Sequence, residues 1–341
     1  MAEQVLVIGP SWVGDMILAQ SLFKLLKQQR PGVEIDVAAP GWTLPLLERM
    51  PEVRAGIALP FRHGKFDLMA RIRIGRELRD KHYDQTILLT NSLKSAILPF
   101  CANIPKRTGF AGELRYGLLN DIRPLDKANL PKTVDRFAAL GVSAGEGIPA
   151  ELPEPALVAS REHAFAALAK LGRSIPKTPV LALCPGAEYG PAKRWPAEYF
   201  AEVATWALAE GWEVWLFGSG KDVEVTRKID ALTANRCLDL GGITSLGEAI
   251  DLMSLCSAAV SNDSGLMHVA AALDLPLITL FGSSDPTHTP PMSEQADIIY
   301  LNLSCSPCFK RECPLGHFKC MRDMKPEQII ALLQKLRTDK P

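Results

Sequence analysis

The chain has 341 residues, with 38 Lys and Arg against 38 Asp and Glu and 47% hydrophobic residues. That length suits two domains of ordinary size, each with its own core, and the even charge excludes a global attraction to nucleic acid. The balance is not uniform: residues 61–115 carry eleven Lys and Arg against five acids, an excess cancelled elsewhere. The N-terminal MAEQVLVIG lacks a basic region, a long apolar core and a small-residue cleavage site, so no signal peptide is expected. No apolar run approaches the roughly 20 residues needed to cross a bilayer. The expected location is the cytoplasm, at most peripheral to a membrane.

Short β-branched runs alternate with helical patterns in both halves, the signature of parallel α/β architecture. VLVIG (5–9) leads into a helix from about Gly14, EIDVAA (34–39) follows, and QTILLT (85–90) precedes another helical stretch. Residues 143–160, with three prolines and little periodicity, read as a linker. The helical REHAFAALAKLG then precedes a second series of buried strands: PVLALCPG (179–186), WEVWLFGSG (212–220), AAVSND (258–263) and LPLITLFG (275–282). KPEQIIALLQKLR (325–337) closes the chain as a helix. The expected domains are 1–155, 156–325 and a terminal helix, 326–341, packing back on the first domain.

In open parallel sheets, ligands bind beyond the carboxyl ends of strands, where loops enter helix N-termini. The polar clusters of this sequence fall at such positions. After the first strand come Ser11, Gly14 and Asp15. This is not G-x-G-x-x-G, and no acid sits where a ribose would need one, which argues against a dinucleotide. Asp15, on the first helical turn, either projects a carboxylate over a site or simply complements the helix dipole. The strand ending at Pro185-Gly186 leads to Lys193-Arg194 and then to Pro196, a residue favoured at helix starts. A mobile Lys193 beside helix-end N–H groups suits a pyrophosphate; a solvated Lys-Arg pair is the plain alternative. Gly218-Ser219-Gly220 and Asn262-Asp263-Ser264-Gly265 end two further strands, and Asp263 and Ser264 also suit helix capping. Four such turns together point to two Rossmann-like domains facing each other across a cleft, with a nucleotide in the second and another substrate in the first.

SWVGDM (11–16), PGAE (185–188), GPAKRWP (190–196) and NDSGLMH (262–268) resemble, in order and spacing, the lipopolysaccharide heptosyltransferases of glycosyltransferase family 9. The resemblance runs from residue 5 to about residue 290. It implies a GT-B fold, an ADP-L-glycero-β-D-manno-heptose donor and no catalytic metal. SWVGDM and RYGLLNDIR (115–123) favour the branch that adds the second heptose, to heptosyl-Kdo2-lipid A at the cytoplasmic face of the inner membrane. Asp15 is then the general base and Lys193 the contact to the departing diphosphate. Gly186, Glu188, Gly218, Ser219, Thr244, Asp263, Ser264, Gly265 and His268 hold the donor. Ser11 and the cations Arg62, Lys65, Lys94, Arg107 and Arg115 are expected to face the anionic acceptor, unless they form an ordinary solvated face. The first enzyme of the branch or another ADP-heptose transferase is the alternative within the family. Outside it stand a sugar-nucleotide epimerase and a non-catalytic nucleotide-binding module.

Cys305, Cys308, Cys313 and Cys320, with His317 nearby, open as C-x2-C, a spacing that allows structural zinc. The following C-x6-C is not a standard finger, and reduced thiols or disulfides are the alternatives.

Overall fold

The computed structural model describes residues 2–61 and 66–338, with side chains as far as residue 336. The chain divides into two compact units, Met1–Pro155 and Ala156–Pro341. Among the described residues, no helix is long and apolar enough to cross a membrane.

The first unit holds strands β1 (Gln4–Ile8), β2 (Glu34–Pro40), β3 (Val53–Leu59), β4 (Gln85–Leu88), β5 (Lys106–Phe110) and β6 (Asp121–Arg123). They form one sheet in the order β3-β2-β1-β4-β5-β6, with every pairing parallel. The second unit repeats this plan with β7 (Val180–Cys184), β8 (Glu213–Leu216), β9 (Leu238–Asp239), β10 (Ala258–Asn262), β11 (Leu277–Phe281) and β12 (Ala296–Tyr300). Their order is β12-β11-β10-β7-β8-β9, again all parallel. Read from its other edge, the second sheet has the order of the first, and both are the 3-2-1-4-5-6 order of a dinucleotide-type α/β domain.

The central strands explain why the sequence folds this way. Residues 5–8 of β1 and all of β7, β10 and β11 are buried, because a parallel sheet covered by helices has no solvent face. β3 and β12 lie at sheet edges, and their residues are exposed or half-buried apart from Leu59. Their weak hydrophobic patterning follows from that position. Helix Leu68–Glu77 packs on helix Leu93–Cys101 in the first unit, and helix Ala197–Ala209 on helix Val223–Leu232 in the second.

The C-terminal helix Pro326–Thr338 departs from expectation. It packs on helix Ala197–Ala209 of the second unit, burying Ile329 and Leu333 in the core that holds Trp195 and Phe200. The Trp195 indole N–H fixes the approach by donating to Met324 O at 2.9 Å, just before the helix begins. Its apolar stripe is therefore satisfied within the second unit.

Candidate active site

In a 3-2-1-4-5-6 sheet the strand order reverses between the first and fourth strands, and the diverging loops there leave a crevice. In the first unit this point lies between the ends of β1 and β4. β1 runs into Ser11 and Trp12, and helix Val13–Gln29 follows with Asp15 in its first turn. A cavity of about 340 Å³ brings Asp15 together with Ser11, Trp12, Thr90, Asn91 and Arg136. A second cavity, of about 600 Å³, shares Ser11 and Thr90 and adds Lys94, Arg71 and the aromatic rings of Trp42 and Phe66. Ser11, Lys94 and Asp15 thus gather where the topology predicts a ligand.

Two of the expected acceptor cations do otherwise. Arg115 is buried, and its guanidinium donates to Thr90 O (2.7 Å), Asn91 Oδ1 (3.3 Å) and Phe110 O. Burial lowers its pKa. Arg107 donates to Leu118 O (2.6 Å) and Ile104 O (2.7 Å) and lies over the Phe100 ring. Both are internal ties, because their guanidinium donors are taken up by backbone carbonyls. Arg115 instead holds Thr90, which lines both cavities, and Asn91, which lines the smaller one. Arg62 and Lys65 lie outside the described residues.

In the second unit the switch point lies between β7 and β10. Asn262, fully buried at the end of β10, donates from Nδ2 to Pro185 O (2.7 Å) and accepts the Trp195 backbone N–H at Oδ1 (3.1 Å). One side chain therefore fixes both ends of the loop that carries Lys193. Lys193 Nζ reaches Asp263 Oδ2 at 2.5 Å, with only 17% and 5% of the two side chains exposed. Ser284, after β11, also donates to that carboxylate oxygen. Helix Gly265–Ala272 begins at once, and the side chain of its N-cap Ser264 accepts no hydrogen bond from the first turn. The helix start thus keeps N–H groups available for an anion.

His268, in the first turn of that helix, is buried beside this pair. Desolvation lowers its pKa from 6.5 to about 4, with Lys193 acting in the same direction and Asp263 against it. The imidazole is accordingly neutral near pH 7.

Gly186 and Gly218 serve the same crevice by leaving room. A Cβ on Gly186 would meet the Asp222 carboxylate at 2.5 Å, and one on Gly218 would meet Asp222 Cβ at 2.8 Å. Asp222 in turn accepts the Ser219 backbone N–H (3.0 Å) and hydroxyl (2.7 Å), which orders the turn after β8. Glu188 pairs with Lys221. Thr244 donates to Leu240 O at 3.4 Å, and no described contact joins it to the Lys193 network.

Sequence reasoning passed over Asn262's tie, Asp222, Ser284, Thr90 and Arg136. Ser284 and Thr90 lie in turns just beyond strand ends, so the rule that found Asp263 reaches them too. Asp222, Asn262 and Arg136 act through contacts that only the folded chain makes.

Among the described residues, no group of three or more His, Cys, Asp or Glu side chains is placed to hold a metal ion. Cys320 packs against the second unit's core and lies close to Gly282, while Cys313 Sγ accepts the Phe318 N–H at 3.4 Å. Burial and the three neighbouring thiols raise the Cys320 pKa to about 11.

Two parallel six-stranded sheets of the same strand order, each with charged groups at its switch point, form an α/β architecture of the GT-B type. The profile of glycosyltransferase family 9 (heptosyltransferase) matches residues 71–319, and the chain belongs to that family. It is 45% identical to lipopolysaccharide heptosyltransferase 2 of Salmonella typhimurium, over 98% of this chain and 99% of the relative. The Escherichia coli K12 protein of the same name is 44% identical over 98% of each chain. The structure of E. coli ADP-heptose lipopolysaccharide heptosyltransferase II superposes with a TM-score of 0.89 at 42% identity, covering 99% of both chains. A family 9 glycosyltransferase from Veillonella parvula shares the fold at 21% identity, with a TM-score of 0.85 and coverage of 99% and 98%.

Proposed function

We propose that the protein transfers L-glycero-D-manno-heptose from ADP-heptose to heptosyl-Kdo2-lipid A, with inversion at the anomeric carbon. The observation that carries the reading is the placement of Asp15 at one switch point and of the Lys193–Asp263 pair at the other. Near-full-length identity to heptosyltransferase 2 proteins supports it.

In this reading the ADP diphosphate meets Lys193 and the start of helix Gly265–Ala272, and Asp263 sets the lysine's position. Asp15 accepts the proton of the acceptor hydroxyl. The freed oxygen bonds to the anomeric carbon from the face opposite the diphosphate. The old C–O bond breaks, and its electron pair leaves with ADP. The transition state resembles an oxocarbenium ion while charge grows on the leaving phosphate, so a fixed cation and oriented N–H groups act where they lower the barrier. This electrostatic scheme needs no catalytic metal. Neutral His268 adds polarity beside the donor without adding charge. Lys94 and the cavity around Ser11 face the anionic acceptor, whose lipid holds the enzyme peripherally at the cytoplasmic face of the inner membrane.

An epimerase or a simple nucleotide-binding module would leave Asp15 and the first unit's two cavities without a task. The test is incubation with ADP-heptose, alone, with Kdo2-lipid A, and with heptosyl-Kdo2-lipid A, while ADP is measured. Release dependent on the heptosylated acceptor is expected. Release with Kdo2-lipid A alone assigns the enzyme to the first transfer, and epimerised sugar without ADP release overturns the reading.

A further inference from the structure

The cysteine-rich segment is stitched to the loop that carries Lys193. Arg311 O accepts the Ala192 N–H at 3.0 Å, and Phe309 O accepts the Tyr189 hydroxyl at 2.9 Å. Gly190, at φ 155°, has no space for a side chain, because a Cβ there would meet Arg311 O at 2.5 Å. The segment is anchored in its turn by the Phe309 N–H, which donates to Ser283 O at 2.7 Å beside Ser284.

This stitching places a second cation on the aromatic ring that Lys193 also meets. The Tyr189 ring has Lys193 Nζ 5.2 Å from its centroid and the Arg311 guanidinium carbon also at 5.2 Å. Lys193 has Asp263 as its partner. Arg311 is exposed, and among the described residues no carboxylate pairs with it. Cation–π attraction to one tyrosine offsets only part of the repulsion between two such charges. A dianionic ligand within reach of both would offset it, and a guanidinium fork suits phosphate oxygens.

The geometry points to Arg311 as a second diphosphate-binding cation, delivered to the donor site by the cysteine-rich segment. This rests on the ADP-heptose reading above and extends it to a residue outside the strand-end loops. Tyr189 is the positioning residue, since its ring meets both cations and its hydroxyl ties the two loops.

Calorimetric titration with ADP and with adenosine tests the assignment in the full-length protein, in Arg311→Ala and in Arg311→Lys. Loss of a charge-assisted contact predicts ADP binding weakened about tenfold or more by Arg311→Ala, with adenosine affinity unchanged and Arg311→Lys intermediate. A role only in the folding of the unit would weaken both ligands alike, and a role only in holding the Lys193 loop would leave Arg311→Lys no better than Arg311→Ala. Equal loss for both ligands, or no loss for either, overturns the proposal while the donor reading stands. Failure of the unaltered protein to bind ADP overturns the donor reading and this proposal with it.

Discussion

Lys193 and Asp263 are 70 residues apart in sequence, yet their charged atoms meet at 2.5 Å at the end of β10. The pair is largely buried, so each partner is the other's main compensation for lost hydration. Truncating the cation therefore has two consequences. Lys193→Ala is expected to lower kcat by about 100-fold or more, the usual scale for removing a transition-state charge stabiliser. It should also destabilise the second unit by about 3 kcal/mol, because the Asp263 charge is left buried and unpaired. Steady-state kinetics and thermal unfolding read the two effects separately. A double variant, Lys193→Met with Asp263→Asn, should recover stability but not turnover.

Asp15 stands on the first turn of the helix after β1, and its substitution should separate chemistry from donor binding. Asp15→Asn keeps size and hydrogen bonding but removes the base. A loss of about 100- to 10,000-fold in kcat is expected, with ADP affinity within twofold of the unaltered protein, about 0.4 kcal/mol. Unchanged turnover would remove Asp15 from the mechanism.

His268 gives the stability of the second unit a pH dependence. Its folded pKa of about 4 lies below the ordinary 6.5, so between these values the unfolded chain binds the proton and the folded chain does not. Its contribution is fully present above pH 6.5 and is lost as pH falls towards 4. The midpoint of thermal unfolding should decline across that window, and His268→Gln should flatten the decline. An identical slope in the variant would assign the effect to carboxylates instead.

Arg115 tests the distinction between a charged surface and an internal tie. Its three acceptors are Thr90 O, Asn91 Oδ1 and Phe110 O, and Arg115→Ala leaves them without that donor. A stability loss of about 2 kcal/mol or more is expected, seen in thermal unfolding of the first unit. Because the Thr90-Asn91 turn lines the Asp15 cavity, kcat should fall as well. A rise in acceptor KM alone, at unchanged stability, would restore Arg115 to the acceptor surface.

Gly186 leaves room for a buried acid, and Gly186→Ala should be costly for so small a change. The added methyl would press on the Asp222 carboxylate. Overpacking of this kind costs about 1–3 kcal/mol, and displacement of Asp222 should release the Ser219 turn. Weaker ADP binding together with a lower unfolding midpoint is the expected outcome.

How much of this was legible beforehand follows from burial. VLVI, VLALC and LITLF became β1, β7 and β11 because apolar runs of that length, ended by glycine or polar turns, have few other ways to hide in a parallel sheet. The edge strands β3 and β12 escaped notice because their exposed residues carry no such pattern. The C-terminal helix was legible as a helix but not in its docking, since an amphipathic stripe specifies that a face is covered and not by what.

The same division holds for the site. Sequence by itself determined that Asp15, Lys193 and Asp263 would stand at strand ends, because turn residues and helix starts are local features that a few neighbouring side chains dictate. It also determined the family, through motifs spread over most of the chain. Only the tertiary structure decided which charges are available. Arg107 and Arg115 read as surface cations in a sequence, but folding directs their guanidinium groups to backbone carbonyls. Arg311 stands within a cysteine-rich stretch of the sequence, and folding sets it over the ring that Lys193 also meets. Charge is a property of the residue, while its partner is set by chain segments that meet only in the folded state.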